Sequence, residues 1–66
     1  MDHDEEARVI AVAAELFGGD SLKAQIWFRS APLREFEGKT AEAVVRDGRG
    51  QDVIRLLEMY EAGPAG

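Results

Sequence analysis

Cysteine is absent from this 66-residue chain, which excludes disulfide staples, thiolate metal sites and cysteine nucleophiles. Histidine occurs once, at His3, so Ser21 and Ser30 have no imidazole beside them with which to build a nucleophile–base pair. No apolar run approaches the roughly 20 residues that cross a bilayer. The start, MDHDEE, is acidic where a secretory leader is basic; a cytoplasmic protein without membrane association is the expectation. Cations are also scarce: eight Lys and Arg face thirteen Asp and Glu, giving a formal charge of −5. Phosphate binding relies on a Lys/Arg surface, so the charge argues against a nucleic-acid partner.

A chain of this length forms one domain and buries only about 60% of its unfolded surface. Oligomerisation or a partner's surface is a common source of the missing stability. The charge is unevenly spread. Asp2, Asp4, Glu5 and Glu6 carry four of the five excess negatives, whereas Arg29 to Arg55 is mixed and holds six basic residues, five of them arginine. Arginine suits protein contacts, because its planar fork makes paired bonds to carboxylates. The acidic run reads as a solvated stretch that suits a helix start.

Hydrophobic spacing predicts helix throughout, punctuated by glycine. Val9, Ile10, Ala13, Ala14, Leu16 and Phe17 recur every three or four residues, which places an apolar stripe on one face. Asp4 is the expected N-cap of this first helix and Gly18-Gly19 its stop. Asp20 then caps a second helix, SLKAQIWFRS, in which Leu22, Ala24, Ile26, Trp27 and Phe28 cover more than one face. Such a helix is either central or has a partner on its far side. Pro32 ends it, and PLREF reads as one helical turn that tucks Leu33 and Phe36 inward. A last helix from about Gln51 to Glu61 repeats Val53, Leu56, Leu57 and Tyr60 on one face, and Gly63-Pro64 closes it. No segment alternates with period two, so strands are not expected. The fold class is all-α, a small bundle of about four helices with one short helical turn.

Gly38-Lys39-Thr40 has the form of the last triplet of a phosphate-binding loop, but the glycine required five residues before Gly38 is Leu33, and no buried strand leads in. The triplet is better read as a turn closed by Gly38, followed by Thr40 capping the helix AEAVVRD. Within that helix Glu42 and Arg46 pair at a spacing of four. Asp47-Gly48-Arg49-Gly50 reads as a helix stop followed by the next helix start. No metal ligand set or cofactor motif is present. Among the aromatics, Trp27, Phe28, Phe36 and Tyr60 at helical spacing are more often core than interface; a bundle this small cannot cover them all, and Trp, Tyr and Arg dominate binding hot spots.

Taken in order, Ala13, Leu16-Phe17-Gly18, Ala24, Trp27-Phe28, Pro32, Gly38-Lys39-Thr40, Gly50, Val53 and Leu57 resemble the toxin-binding domain of Xre/MbcA/ParS-type bacterial antitoxins. The likeness runs from about Val9 to Gly63. Each element alone is weak, and their order and spacing carry the resemblance. Ala41 stands where the family usually has proline, and Phe28 where leucine is common. Many members also carry a helix-turn-helix domain for operator DNA; nothing in these residues matches one, so DNA binding by this chain is not expected.

The resemblance implies a non-catalytic antitoxin, or its neutralising module, whose partner is an NAD-consuming RES-domain toxin blocked by occlusion of its active site. It implies an acidic lead-in at 1–8, the toxin-binding domain at 9–63 and a flexible tail at 64–66. On this reading Arg46, Arg49, Arg55, Met59 and Tyr60 contact the partner, and Trp27, Phe36, Gly38 and Thr40 hold the scaffold. No cofactor is implied, and a homodimer is a further expectation. Other classes remain open: a self-associating or adaptor domain without a toxin, a small ligand-binding protein or enzyme, and a DNA-bound regulator. A neighbouring gene for a RES-type protein, a ligand-dependent rise in melting temperature, and salt-sensitive binding to duplex, respectively, separate these.

Overall fold

The computed structural model describes residues 2–62, and side chains from Asp4 to Glu61. The expected Gly63-Pro64 stop, the tail at 64–66 and the side chain of His3 lie outside the described residues. Among the described residues four helices form: α1 (Asp2–Leu16), α2 (Ser21–Ser30), α3 (Ala41–Arg46) and α4 (Gly50–Ala62). Between α2 and α3 the chain makes a 3-10 turn at Arg34–Phe36, flanked by β1 (Pro32–Leu33) and β2 (Lys39–Thr40). The Cα radius of gyration, 11.1 Å, agrees with about 11 Å for a folded chain of this length.

α1 begins two residues before the expected cap, so Asp4 lies inside the helix. Asp4 and Glu5 lie in its first turn, near the positive end of the helix dipole, where carboxylates are favoured. α1 packs on both α2 and α4. At the far end, Gly18 N–H donates to Glu15 C=O at 3.2 Å and Gly19 N–H to Ala14 C=O at 2.7 Å. This paired closure needs a left-handed residue just past the helix, and Gly18 supplies it with φ of 72°. The next residue but one, Asp20, accepts the Lys23 N–H at 3.1 Å and starts α2. Two helices therefore join through a four-residue corner, Phe17–Asp20, set by local chemistry alone.

α3 closes in the same manner as α1. Arg49 N–H donates to Val44 C=O at 3.0 Å and Gly48 N–H to Val45 C=O at 2.9 Å, with Gly48 at φ 83°. Its start is capped by Thr40, whose Oγ1 accepts the Ala43 N–H at 3.2 Å; a cap of this kind stabilises by about 1 kcal/mol. The 3-10 turn repeats the closure once more: Gly38 N–H donates to Leu33 C=O at 2.8 Å and Glu37 N–H to Arg34 C=O at 3.2 Å. Here the left-handed position belongs to Glu37 (φ 60°), ahead of Gly38. A non-glycine residue in that region is strained.

A small antiparallel pairing of β1 with β2, Pro32 opposite Thr40 and Leu33 opposite Lys39, corrects the expectation of no strands. Two residues per strand are too few to produce the alternation that marks a strand in sequence. The pairing ties both ends of the 3-10 turn together, so that Leu33 and Phe36 reach the core.

The core draws one stripe from each helix: Val9 and Ala13, Ala24 and Phe28, Ala41, Val44 and Val45, and Val53, Ile54, Leu56 and Leu57. Among the described residues no polar or charged side chain is buried with it. α4 passes close to α1 at Gly50, where an added Cβ would overlap the side chain of Glu5. Glycine there lets the Glu5 carboxylate lie at the amino-terminal end of α4, where the dipole favours negative charge. Part of the acidic run is thereby built into the packing of α1 on α4.

Candidate protein-interaction surface

Among the described residues, no group of three or more His, Asp and Glu gathers to hold a metal ion, and no buried side-chain polar atom lacks a partner. Ser30 donates its hydroxyl to the Ile26 C=O at 2.6 Å, which engages it with its own helix. The features that stand out are exposed arginines and exposed apolar side chains, in two separate places.

The first place is the outer flank of α4. Residues 49, 52, 55 and 59 follow one another at helical spacing, which brings Arg49, Asp52, Arg55 and Met59 to one side. Arg49 Nε donates to Asp52 Oδ2 at 3.2 Å, and the Arg55 guanidinium lies 3.9 Å from Asp52 Oδ1. One carboxylate thus serves two cations. Arg49 has a second contact, its guanidinium carbon 5.4 Å from the Phe36 ring centroid, which a cation–π attraction of about 0.5–1 kcal/mol favours at such exposed sites. Arg55 has no such anchor, and its side chain is 77% exposed. Met59 is 69% exposed and belongs neither to the core nor to the partly buried side chains packed against it. Arg46, on α3, pairs with Glu42 at 3.4 Å and is also largely exposed.

Tyr60 lies on the core stripe of α4 but beyond the point where α4 is covered, and it is 52% exposed. Its hydroxyl donates to Glu35 Oε2 at 2.9 Å, fastening the end of α4 to the 3-10 turn. The two groups perturb each other. Hydrogen bonding from its own backbone N–H, then from Tyr60, holds the Glu35 carboxyl below its ordinary value; the bond to Glu35, then burial, raises the Tyr60 phenol. The raised phenol contributes stability that is fully present below its unfolded value of about 10 and is lost as pH rises through the higher folded value. The lowered Glu35 contributes stability that is present above its unfolded value of about 4.3 and is lost as pH falls through the folded one. With a single tyrosine in the chain, the tyrosinate absorbance band reports this contact alone. Glu35→Ala is expected to move the titration midpoint down toward the ordinary value; an unmoved midpoint would remove the contact from solution.

The second place is α2. Ala24 and Phe28 are buried, but Leu22 and Ile26 are 66% and 58% exposed. At 100° per residue these pairs fall on roughly opposite sides of the helix. Of the two readings left by the sequence, a central helix or one with a far-side partner, the central position is excluded. Trp27 lies between the two faces, half-buried, with its ring edge-on to Phe17 at a centroid distance of 6.5 Å.

Sequence spacing thus brought Arg49, Arg55 and Met59 to one flank, with Tyr60 beside it and Arg46 on a different helix. It missed Glu35 and Asp52, which hold Tyr60 and the arginines in place; only the spacing of Arg49, Asp52 and Arg55 was there to signal the second. The scaffold residues Phe36, Gly38 and Thr40 occupy the buried, turn and cap positions described above. No family model matches the chain, and neither a curated protein nor a solved structure matches it.

Proposed function

We propose that the chain is a non-catalytic antitoxin, or the toxin-binding module of one, acting in the bacterial cytoplasm on an NAD-consuming RES-domain toxin. It neutralises by steric occlusion, laying the outer flank of α4 over the toxin's active site. The observation that carries this reading is the α4 flank. Arg55 and Met59 project from a rigid helix without a role in the core, and Tyr60 is held beside them by Glu35. Arginine and tyrosine are enriched among residues that dominate interface energetics, and methionine adapts to irregular partners. The ordered likeness from Ala13 to Leu57 supplies the class of partner.

The test is growth and cellular NAD during expression of a RES-domain protein encoded beside this chain, with and without it. Rescue of both by co-expression is the expected outcome. A neighbour that remains toxic while the chain is folded and abundant overturns the assignment for that pair. A second reading, self-association without a toxin, is favoured by the uncovered apolar face of α2.

A further inference from the structure

We infer that α2 pairs with α2 of a second copy of this chain, antiparallel about a two-fold axis. This does not rest on the toxin reading, since α2's outer face is separate from the α4 flank. The face consists of Leu22, Ile26 and Arg29, spaced by four and three residues and so aligned along one stripe. Leu22 and Ile26 are the two most exposed of its aliphatic side chains, and Ser21–Ser30 carries no carboxylate, only Lys23 and Arg29. Neither cation has an ion-pair partner among the described residues.

Charge chooses the occupant and its direction. Setting Leu22 against Ile26 of the other copy, and the reverse, aligns the helices so that paired residue numbers sum to 48. Arg29 is then level with residue 19 of the partner, one position from its Asp20. Asp20 uses Oδ1 to cap α2, which leaves Oδ2 for the incoming guanidinium. The same bond forms a second time by symmetry, so the surface is complementary to itself, as a two-fold interface must be. A parallel pairing would instead set Arg29 beside Arg29 and Lys23 beside Lys23. Two side chains per copy make a small apolar centre, so the dimer belongs to the weak, transient class. Association of this kind also adds stability to a chain below the size at which a single core is secure.

Sedimentation velocity from about 10 μM to about 1 mM is expected to show the sedimentation coefficient rising with concentration for the natural chain. Ile26→Lys, at an exposed site, is expected to keep the helical circular dichroism and to sediment as a monomer throughout. Because the chain has no cysteine, single cysteines then report the register. Mixing L22C with I26C in equal amounts is expected to give the mixed disulfide well beyond the roughly twofold excess over either symmetric one that random pairing alone produces, because only the 22–26 pairs lie within bridging distance. A coefficient that stays flat over this range overturns the inference. So does a dimer that survives Ile26→Lys, or cysteine pairing that favours 22 with 22 and 26 with 26.

Discussion

Phe28→Ala is expected to leave the chain unfolded at room temperature. Phe28 is only 2% exposed and is the largest fully buried side chain of the core. Truncating a buried phenylalanine to alanine costs about 3–5 kcal/mol, the transfer term plus the cavity left behind. A single core in a chain of this size rarely supplies more than about 3–5 kcal/mol in total. The loss and the whole are therefore comparable, and no disulfide is present to hold the chain together. Ile26→Ala, two residues away on the same helix, provides the contrast. Ile26 is 58% exposed, surface changes usually stay within about 0.5 kcal/mol, and alanine is the stronger helix former. Thermal melts followed by circular dichroism at low concentration decide the matter. A cooperative melt for Phe28→Ala near that of the natural chain would mean that α2 does not bury this face.

That contrast also marks where the sequence becomes silent. The periodicity of α2 identified Ala24, Phe28, Leu22 and Ile26 as apolar faces, and the helix limits, Ser21 to Ser30, followed from Asp20 and Pro32. Periodicity describes a helix surface without saying which part of it another helix covers. Only packing decides that, and α1 and α3 cover one side alone. Local closures were legible because each depends on a few adjacent residues: Gly18, Gly48 and Thr40 all act where their chemistry places them. The left-handed Glu37 was not, since a glycine stands next to it and is the residue that φ above zero ordinarily selects. The contact between Tyr60 and Glu35 spans 25 positions, and neither residue carries a local sign of the other. Likewise Arg49 meets Phe36 only because the β1–β2 pairing turns the 3-10 segment toward α4.

These contacts determine which arginine reports partner binding. Arg49→Glu removes the attraction to Phe36 and sets a second carboxylate beside that of Asp52, so folding and binding would change together. Arg46→Glu places like charges at a spacing of four along α3, opposite Glu42, which destabilises by a few tenths of a kcal/mol. Arg55 is the cleaner probe. Its side chain is 77% exposed and its nearest carboxylate is 3.9 Å away, a pair of the kind that contributes about 0–1 kcal/mol. Met59, 69% exposed, lies outside the core and outside the side chains packed against it.

The double variant Arg55→Glu with Met59→Ala is accordingly expected to keep its helical spectrum and melt close to the natural chain, yet, under the proposed function, to lose the binding that would make it an antitoxin. If both residues are hot spots, each removes about 2 kcal/mol of binding, roughly 30-fold in affinity. Their combined effect need not be additive, because the two lie one helical turn apart and share a surface. Calorimetry against the purified toxin measures the loss, and growth with co-expressed toxin shows its consequence. The two single variants apportion the effect between charge and apolar area: a loss that shrinks in high salt belongs to Arg55, whereas one that persists belongs to Met59. Unchanged affinity in a folded double variant would place the toxin contact off the α4 flank. The outer face of α2 would then be the next surface to alter, and the same Ile26→Lys chain that tests pairing between copies would test it. A toxin that bound only when α2 was unpaired would make the two surfaces competitors, with self-association setting the amount of free antitoxin.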